Sequence, residues 1–394
     1  MEKCGRNTVI PNSNDNLQLT IINNIMNVIV LKNNLKEGIN SVERSVGDNL
    51  NLPILKNILI KTENNQIRFS STNLELAITH SLNGKIIENG NLTVPLHIFS
   101  TIINNLSTER ITLEKKDLNL FVKTDNYEAV IQGLNHEDFP IIPKINNSNN
   151  FIKINAGLFK NALNNVLSAA QFSEIRPEIN GVVLKYGLDN LKLAATDSFR
   201  LAEKTIFQNQ FKSNFEKAFE LIIPLKTAEE AARILRPDEE LSIFIDPNQI
   251  QFNCGEQEII SRLVEGKFPD YEAVIPRNVL TEITIEKGEL VNGLKLAGVF
   301  AGKVNDIKLK AGEGKKFLEI YSADSAIGEN RYLIPVKISG PAANIAFNWR
   351  YLMDGIKPFL NEEIVLGVNS FDKPAIIKNR EDKSFFYVIM PVKV

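Results

Sequence analysis

The residues that could do chemistry are few, and they are not gathered in one place. His80, His97 and His136 all fall in the first third of the chain, with no Cys or carboxylate at metal-ligand spacing. Surface or core roles are expected for them, and no metal or cofactor site is expected. Asp197 beside Arg200 has the makings of an acid with a charged partner. An Asp between two apolar runs is also what a strand corner uses, and its counterpart upstream, Asn73, cannot ionise. The glycine-rich phosphate loop, the dinucleotide turn, the paired-histidine zinc helix and paired Cys-x-x-Cys are all missing. No catalytic residue is therefore expected. Cys4 and Cys254 form no spaced pair and read as buried or incidental thiols in a reducing compartment.

What repeats is organisation. Leu191–Lys204, LKLAATDSFRLAEK, alternates, breaks at Thr196-Asp197-Ser198 and resumes, which reads as strand, turn, strand. The same shape recurs in Ile67–Thr79 and in Leu318–Leu333. The flanks repeat in the same order. LPIL at Leu52–Leu55 answers RPEI at Arg176–Ile179, and Val94–Leu106 answers Ile223–Leu235 and Phe347–Leu360. Phe139-Pro140 answers Phe268-Pro269. Three related units follow, each with two helices among many short strands, an α+β pattern. Helices are expected at Asn33–Val46, after Pro95, at Ala156–Ala170 and at Lys226–Leu235.

The units are placed at 26–146, 150–275 and 279–394. Residues 1–25, polar and rich in asparagine, fit no unit; they read as a flexible extension or as a start codon set too far upstream. A length of 394 residues, 43% hydrophobic and 23% charged, suits a soluble, cytoplasmic globular protein. No apolar run reaches the roughly 18 residues of a membrane helix. A formal net charge of -2 means that any basic surface must be local.

Such a surface is suggested by helix positions. Lys226 and Arg233 are seven apart, about two helical turns, and Arg350 and Lys357 repeat that spacing at matching positions. His97 and Asn104 stand there in the first unit. Lys36 and Lys160 match on the other helix, with Lys295 one turn on. These seven cations are either solvated helix faces or phosphate contacts without base readout.

ATDSFRL at Ala195–Leu201, KFPDYEAVIP at Lys267–Pro276, LPIL and the ending YVIMPVKV resemble the bacterial sliding clamps, the beta subunits of DNA polymerase III. The resemblance covers Met26 to Val394. It implies three like domains per chain and a head-to-tail homodimeric ring, with helices lining the hole and antiparallel sheets outside. It implies a processivity factor that encircles duplex DNA without sequence preference. Its partners would be the polymerase III alpha subunit and the clamp loader, held through short peptides. The family's peptide pocket falls on Ile179, Thr196, Ser198, Phe199, Arg200, Leu201, Pro269, Val274, Pro374, Val388, Met390, Pro391 and Val392. Arg200 and Thr196 would hold a peptide backbone at the rim. Ser198 and Phe199 depart from the family's usual Gly and His or Tyr, and Ala273 stands where Arg is frequent. Two other readings of the repeats are a clamp-like paralogue outside replication and a ligand-binding or enzymatic scaffold with its site between units.

Overall fold

The computed structural model of the chain describes residues 26–145, 149–311 and 316–393. The extension at 1–25, with Cys4, and the ends of the first and third expected units lie outside the described residues. Six α-helices occur among them: α1 Lys32–Val42, α2 Leu96–Asn105, α3 Ala156–Leu167, α4 Leu225–Ile234, α5 Lys287–Gly298 and α6 Trp349–Ile356. They pack in pairs, α1 with α2, α3 with α4 and α5 with α6, one pair per unit.

Each helix is amphipathic, and its apolar stripe enters the main core. In α3 that stripe is Ala156, Phe159, Ala162, Leu163 and Val166, and in α1 it is Leu35, Ile39 and Val42. Side-chain caps start three of them. The Asn155 Oδ1 accepts from the Leu158 amide at 3.0 Å, Glu286 accepts from Gly288 and Glu289, and Asn348 from Arg350 and Tyr351. Pro95 and Pro224 stand immediately before α2 and α4. Two expected helices run past their actual ends. After Val42 the chain tightens into a 3-10 turn, Glu43–Ser45, where the buried Ser45 hydroxyl donates to the Val42 carbonyl at 3.0 Å. Helix α3 stops at Leu167, where the Ser168 hydroxyl donates to the Asn165 carbonyl at 2.7 Å.

The strands among the described residues form four sheets, antiparallel throughout. Two have nine strands, and each is shared between consecutive units. In one, Leu76–Leu82 of the first unit pairs with Gln257–Arg262 of the second. In the other, Arg200–Phe207 of the second unit pairs with Phe385–Ile389 of the third. The remaining two sheets lie at the ends of the chain. A five-stranded sheet in the first unit has Glu128–Gln132 at one edge, and a four-stranded sheet in the third has Gly328–Pro335 at one edge.

The corner is the same turn in the first two units, and the third, one residue longer, keeps its Asx bond. The Asp197 Oδ1 accepts from the amides of Phe199 and Arg200 at 2.9 and 3.0 Å. The Asn73 Oδ1 accepts from Glu75 and Leu76 at 3.0 and 2.8 Å, and the Asp324 Oδ1 from Ala326 at 2.8 Å. An Asx turn needs only the side-chain oxygen, so Asn and Asp interchange. Ser198 and Leu74, at the same place in the first two turns, take φ of 77° and 79°.

Candidate functional site

The sheet shared by the second and third units carries a small apolar cluster apart from the main core. Ile179, Val183, Ala194, Leu201, Ile222, Phe268, Tyr271, Ile376 and Val388 form it, and no α-helix contributes. Side chains alternate across a strand, so Leu201 and Val388, paired across the unit junction, face one way. Ala202 and Tyr387 face the other way, into the helix-backed core. Ile179, Leu201 and Val388 are thus brought together as a floor. Phe199, 60% exposed, Val274 and Met390 stand out from the surface near it in sequence, with Pro269, Pro374, Pro391 and Val392 half-buried. The last residues are docked. The Met390 amide donates to the Phe199 carbonyl and the Val392 amide to the Ala346 carbonyl, both at 2.8 Å.

On the same face of the strand as Leu201, the Glu203 carboxylate accepts from the Tyr271 hydroxyl at 2.7 Å, both groups buried. Burial and that carboxylate push the phenol far above its ordinary pKa, so it stays a neutral donor.

The expected rim role of Arg200 is corrected by strand parity. Arg200 pairs with Ile389, whose side chain enters the main core, so the guanidinium points to the helix side, away from Leu201. There it reaches Asp197 at 2.9 Å and Asp354 of α6 at 2.7 Å, and lies 4.2 Å from the centre of the Tyr351 ring. Burial acts against its charge, but Tyr387, Asp354 and Asp197 outweigh that and raise its pKa above the ordinary value. Arg200 therefore fixes the turn onto the third unit. The Thr196 hydroxyl is also taken: it donates to the Arg200 carbonyl at 2.7 Å and accepts from the Ser198 amide at 3.1 Å. The cation that does stand at this surface is Arg176, which donates to the Ser198 hydroxyl at 2.8 Å. Sequence reasoning passed over it, although it opens the RPEI segment.

The helix cations divide. Lys36, Lys226 and Lys295 make no hydrogen bond or ion pair with the described residues, and Arg350 lies over the Trp349 ring at 5.6 Å. The other three have partners within the chain. Lys160 donates to the carbonyls of Arg233 and Leu235 at 3.1 and 3.0 Å, closing the C-terminus of α4. Lys32 does the same at the Leu106 carbonyl after α2, and Lys287 at the Phe359 carbonyl after α6. Arg233 bonds Glu230 at 2.7 Å and the Asn40 carbonyl of the first unit at 2.9 Å. Lys357 pairs with Asp354 at 3.1 Å. Asparagine supplies much of the rest of the exposed helix surface, at Asn33, Asn40, Asn104, Asn105, Asn161, Asn164 and Asn292.

Among the described residues no group of His, Cys, Asp and Glu could hold a metal ion, and no helix is long and apolar enough to cross a membrane. Cys254 is buried, and burial pushes its thiol pKa up.

Comparison with known proteins agrees along the whole described chain. Residues 26–143 match the N-terminal domain of the DNA polymerase III beta subunit, 153–270 its central domain and 272–393 its C-terminal domain. The beta sliding clamp of Synechococcus elongatus is 26% identical over 376 residues, covering 94% of this chain and 100% of that protein. The beta sliding clamp of Staphylococcus aureus is 27% identical over 331 residues, covering 82% of this chain and 86% of its own. The crystal structure of the DNA polymerase sliding clamp from Bacillus subtilis superposes with a TM-score of 0.88 at 26% identity, covering 94% of this chain and 99% of that one. With three consecutive domains matched in order, the chain belongs to the beta sliding clamp family of DNA polymerase III.

Proposed function

We propose that this chain is a DNA sliding clamp for replication: two copies close head to tail around duplex DNA and tether the replicative polymerase to it. The observation that carries the closure is a strand count. Both unit junctions inside the chain are nine-stranded sheets, while the two ends carry sheets of five and four strands. Joining the five to the four makes a third junction like the other two. The edge Glu128–Gln132 is the third strand of a meander, as Gln257–Arg262 is at the first junction. The edge Gly328–Pro335 follows the repeated corner, as Leu76–Leu82 and Arg200–Phe207 do.

The internal junctions supply a register. Ala77 faces Ile260 in one, and Leu201 faces Val388 in the other. Their counterparts at the free edges are Glu329, which pairs with Ala323 next to the turn Asp324, and Val130, which pairs with Phe121 as Ile260 pairs with Gln251. Carried across, Glu329 lies opposite Val130, Asn330 opposite Ala129 and Arg331 opposite Glu128. A twofold axis then makes two identical junctions per dimer.

The domain limits 26–146, 150–275 and 279–394 belong to the same reading. Topological closure holds DNA without tight contacts, so the sparse cations at Lys36, Lys226, Lys295 and Arg350 among neutral asparagines suit sliding. The partner site is the surface over Ile179, Leu201 and Val388, with Thr196, Ser198, Phe199, Pro269, Val274, Pro374, Met390, Pro391 and Val392 around it. Its ligands are short apolar peptides of the polymerase III alpha subunit and the clamp loader, which raise the local concentration of polymerase at the primer end. The protein works in the cytoplasm as a processivity factor with no catalytic site of its own.

The test is retention on DNA of two topologies. Loaded protein stays on a closed circle and is lost on linearisation, at a rate independent of sequence. Equal retention on both forms would remove the ring reading.

A further inference from the structure

We infer that the chain carries a second peptide groove, at the junction of its first and second units, for a partner segment with a bulky apolar side chain next to a lysine or arginine. A cleft of about 880 Å³ lies here, lined by Thr72, Leu74, Ala77, Pro140, Ile260 and Arg262 among others. It repeats the groove of the second junction part by part. Thr72 donates to the Leu76 carbonyl and accepts from the Leu74 amide, both at 3.0 Å, as Thr196 does with Arg200 and Ser198. The left-handed residue recurs, as does the Phe-Pro wall, Phe139-Pro140 for Phe268-Pro269. The paired floor positions recur as Ala77 with Ile260 for Leu201 with Val388.

The differences define what fits. Ala77 is smaller than Leu201, so the floor drops and leaves room for a larger side chain. Ile141, 95% exposed, and the half-exposed Leu74 supply apolar walls that nothing in the described chain covers. Where the other groove has Phe199 and Met390, this one has Glu75 and Arg262. Glu220 and Glu265 add two more carboxylates to the lining. Glu220 is 3.5 Å from Lys185, but Glu75, Glu265 and Arg262 have no ion pair among the described residues. Carboxylates exceed cations in the cleft, so an apolar anchor flanked by a basic residue is complementary in shape and charge. The two grooves of one chain would therefore take different partners.

The experiment uses the full-length protein and two fluorescent, end-blocked octapeptides. Each has one Leu and one Phe; one carries two Lys and the other two Glu at the same places. The Lys peptide is expected to bind, to lose about tenfold or more in affinity in Ile141→Asp and in Glu265→Lys, and to keep it in Met390→Ala. A photoreactive Lys peptide should label residues 72–77 or 260–266. Glu265→Lys should shift preference toward the Glu peptide. The inference is overturned if neither peptide binds at millimolar concentration, if binding is lost only in Met390→Ala, or if the label falls elsewhere. Dimer mass and retention on circular DNA, read on the same variants, report separately on the clamp reading.

Discussion

Closure of the ring can be tested at one edge residue. Val130 lies on the free edge of the five-stranded sheet and is 53% exposed in the single chain. Full burial of a valine stabilises by roughly 1.5–3 kcal/mol, so covering the exposed half contributes about 1 kcal/mol. In Val130→Asp that contribution disappears. The derived register then sets the new carboxylate against Glu329, a like-charge pair on neighbouring strands, and desolvating it costs about 1 kcal/mol more. The cost is about 2 kcal/mol per junction. Dissociating a twofold dimer opens two junctions, so the total is about 4 kcal/mol, or nearly a thousandfold in the dissociation constant.

Sedimentation equilibrium across micromolar to nanomolar concentrations should show the variant dissociating where the parent stays dimeric. Its thermal unfolding as a monomer should change little, because the side chain is exposed there. The register has its own check: Glu329→Lys added to Val130→Asp should restore most of the affinity by placing opposite charges face to face. A variant that sediments as the parent does would refute the edge-to-edge junction. Rescue by Asn330→Lys and not by Glu329→Lys would refute the register alone.

Three further outcomes are expected. Arg200→Met should lower stability by roughly 2–4 kcal/mol, the buried-pair value reduced because Asp354 is partly exposed, since it strands Asp197, 6% exposed. Met390→Ala should instead cost a polymerase-tail peptide about 1–3 kcal/mol of affinity with no change in urea midpoint; equal effects of the two variants on both readouts would undo the two-face assignment. Neutralising Lys36, Lys226, Lys295 and Arg350 together should flatten the salt dependence of DNA retention by up to about 0.9 in log–log slope for each phosphate no longer neutralised, while a Lys160→Gln variant should lower stability and leave that slope alone. His80 is buried, which lowers its pKa, with Glu37, Glu256 and Glu239 acting to raise it and Arg236 to lower it. The unfolded chain then takes up this proton first, so stability falls as pH drops below about 6.5 and stops falling for this cause below the depressed folded value. In His80→Gln the difference in unfolding midpoint between about pH 8 and pH 5 should shrink; an unchanged difference would mean the histidine does not titrate as its burial implies.

Local chemistry was legible in the sequence, and its partners at a distance were not. The corner at Asp197 could be read because an Asx turn is made within four residues, and the same Asx bond reappears with Asn73 and Asp324. Helix starts at Asn155 and after Pro95 were legible for the same reason. Lys160 was not, because its role is set by carbonyls 73 and 75 residues away. Nothing in the spacing distinguishes a lysine that closes a neighbouring helix from one that faces solvent. The free Lys226 and the engaged Arg233 sit on one helix, seven residues apart.

Arg200 failed for a sharper reason. Beside Leu201 in a strand, one of the two must face the groove and the other the helices. The alternation is visible in the sequence, but which face is which depends on the strand that pairs with it, Phe385–Ile389, nearly two hundred residues later. The same dependence hid the edges. Val130 and Glu329 look like ordinary strand residues until the two intact nine-stranded junctions reveal where their counterparts go. The repeat that was legible as three similar corners therefore has its main consequence between the units. Each of the first two corners begins a strand that pairs with the third meander strand of the next unit, and the strand after the last corner has no such partner among the described residues. Under the proposed closure, a second copy of the chain supplies that partner, opposite the strand that follows the turn at Asp324.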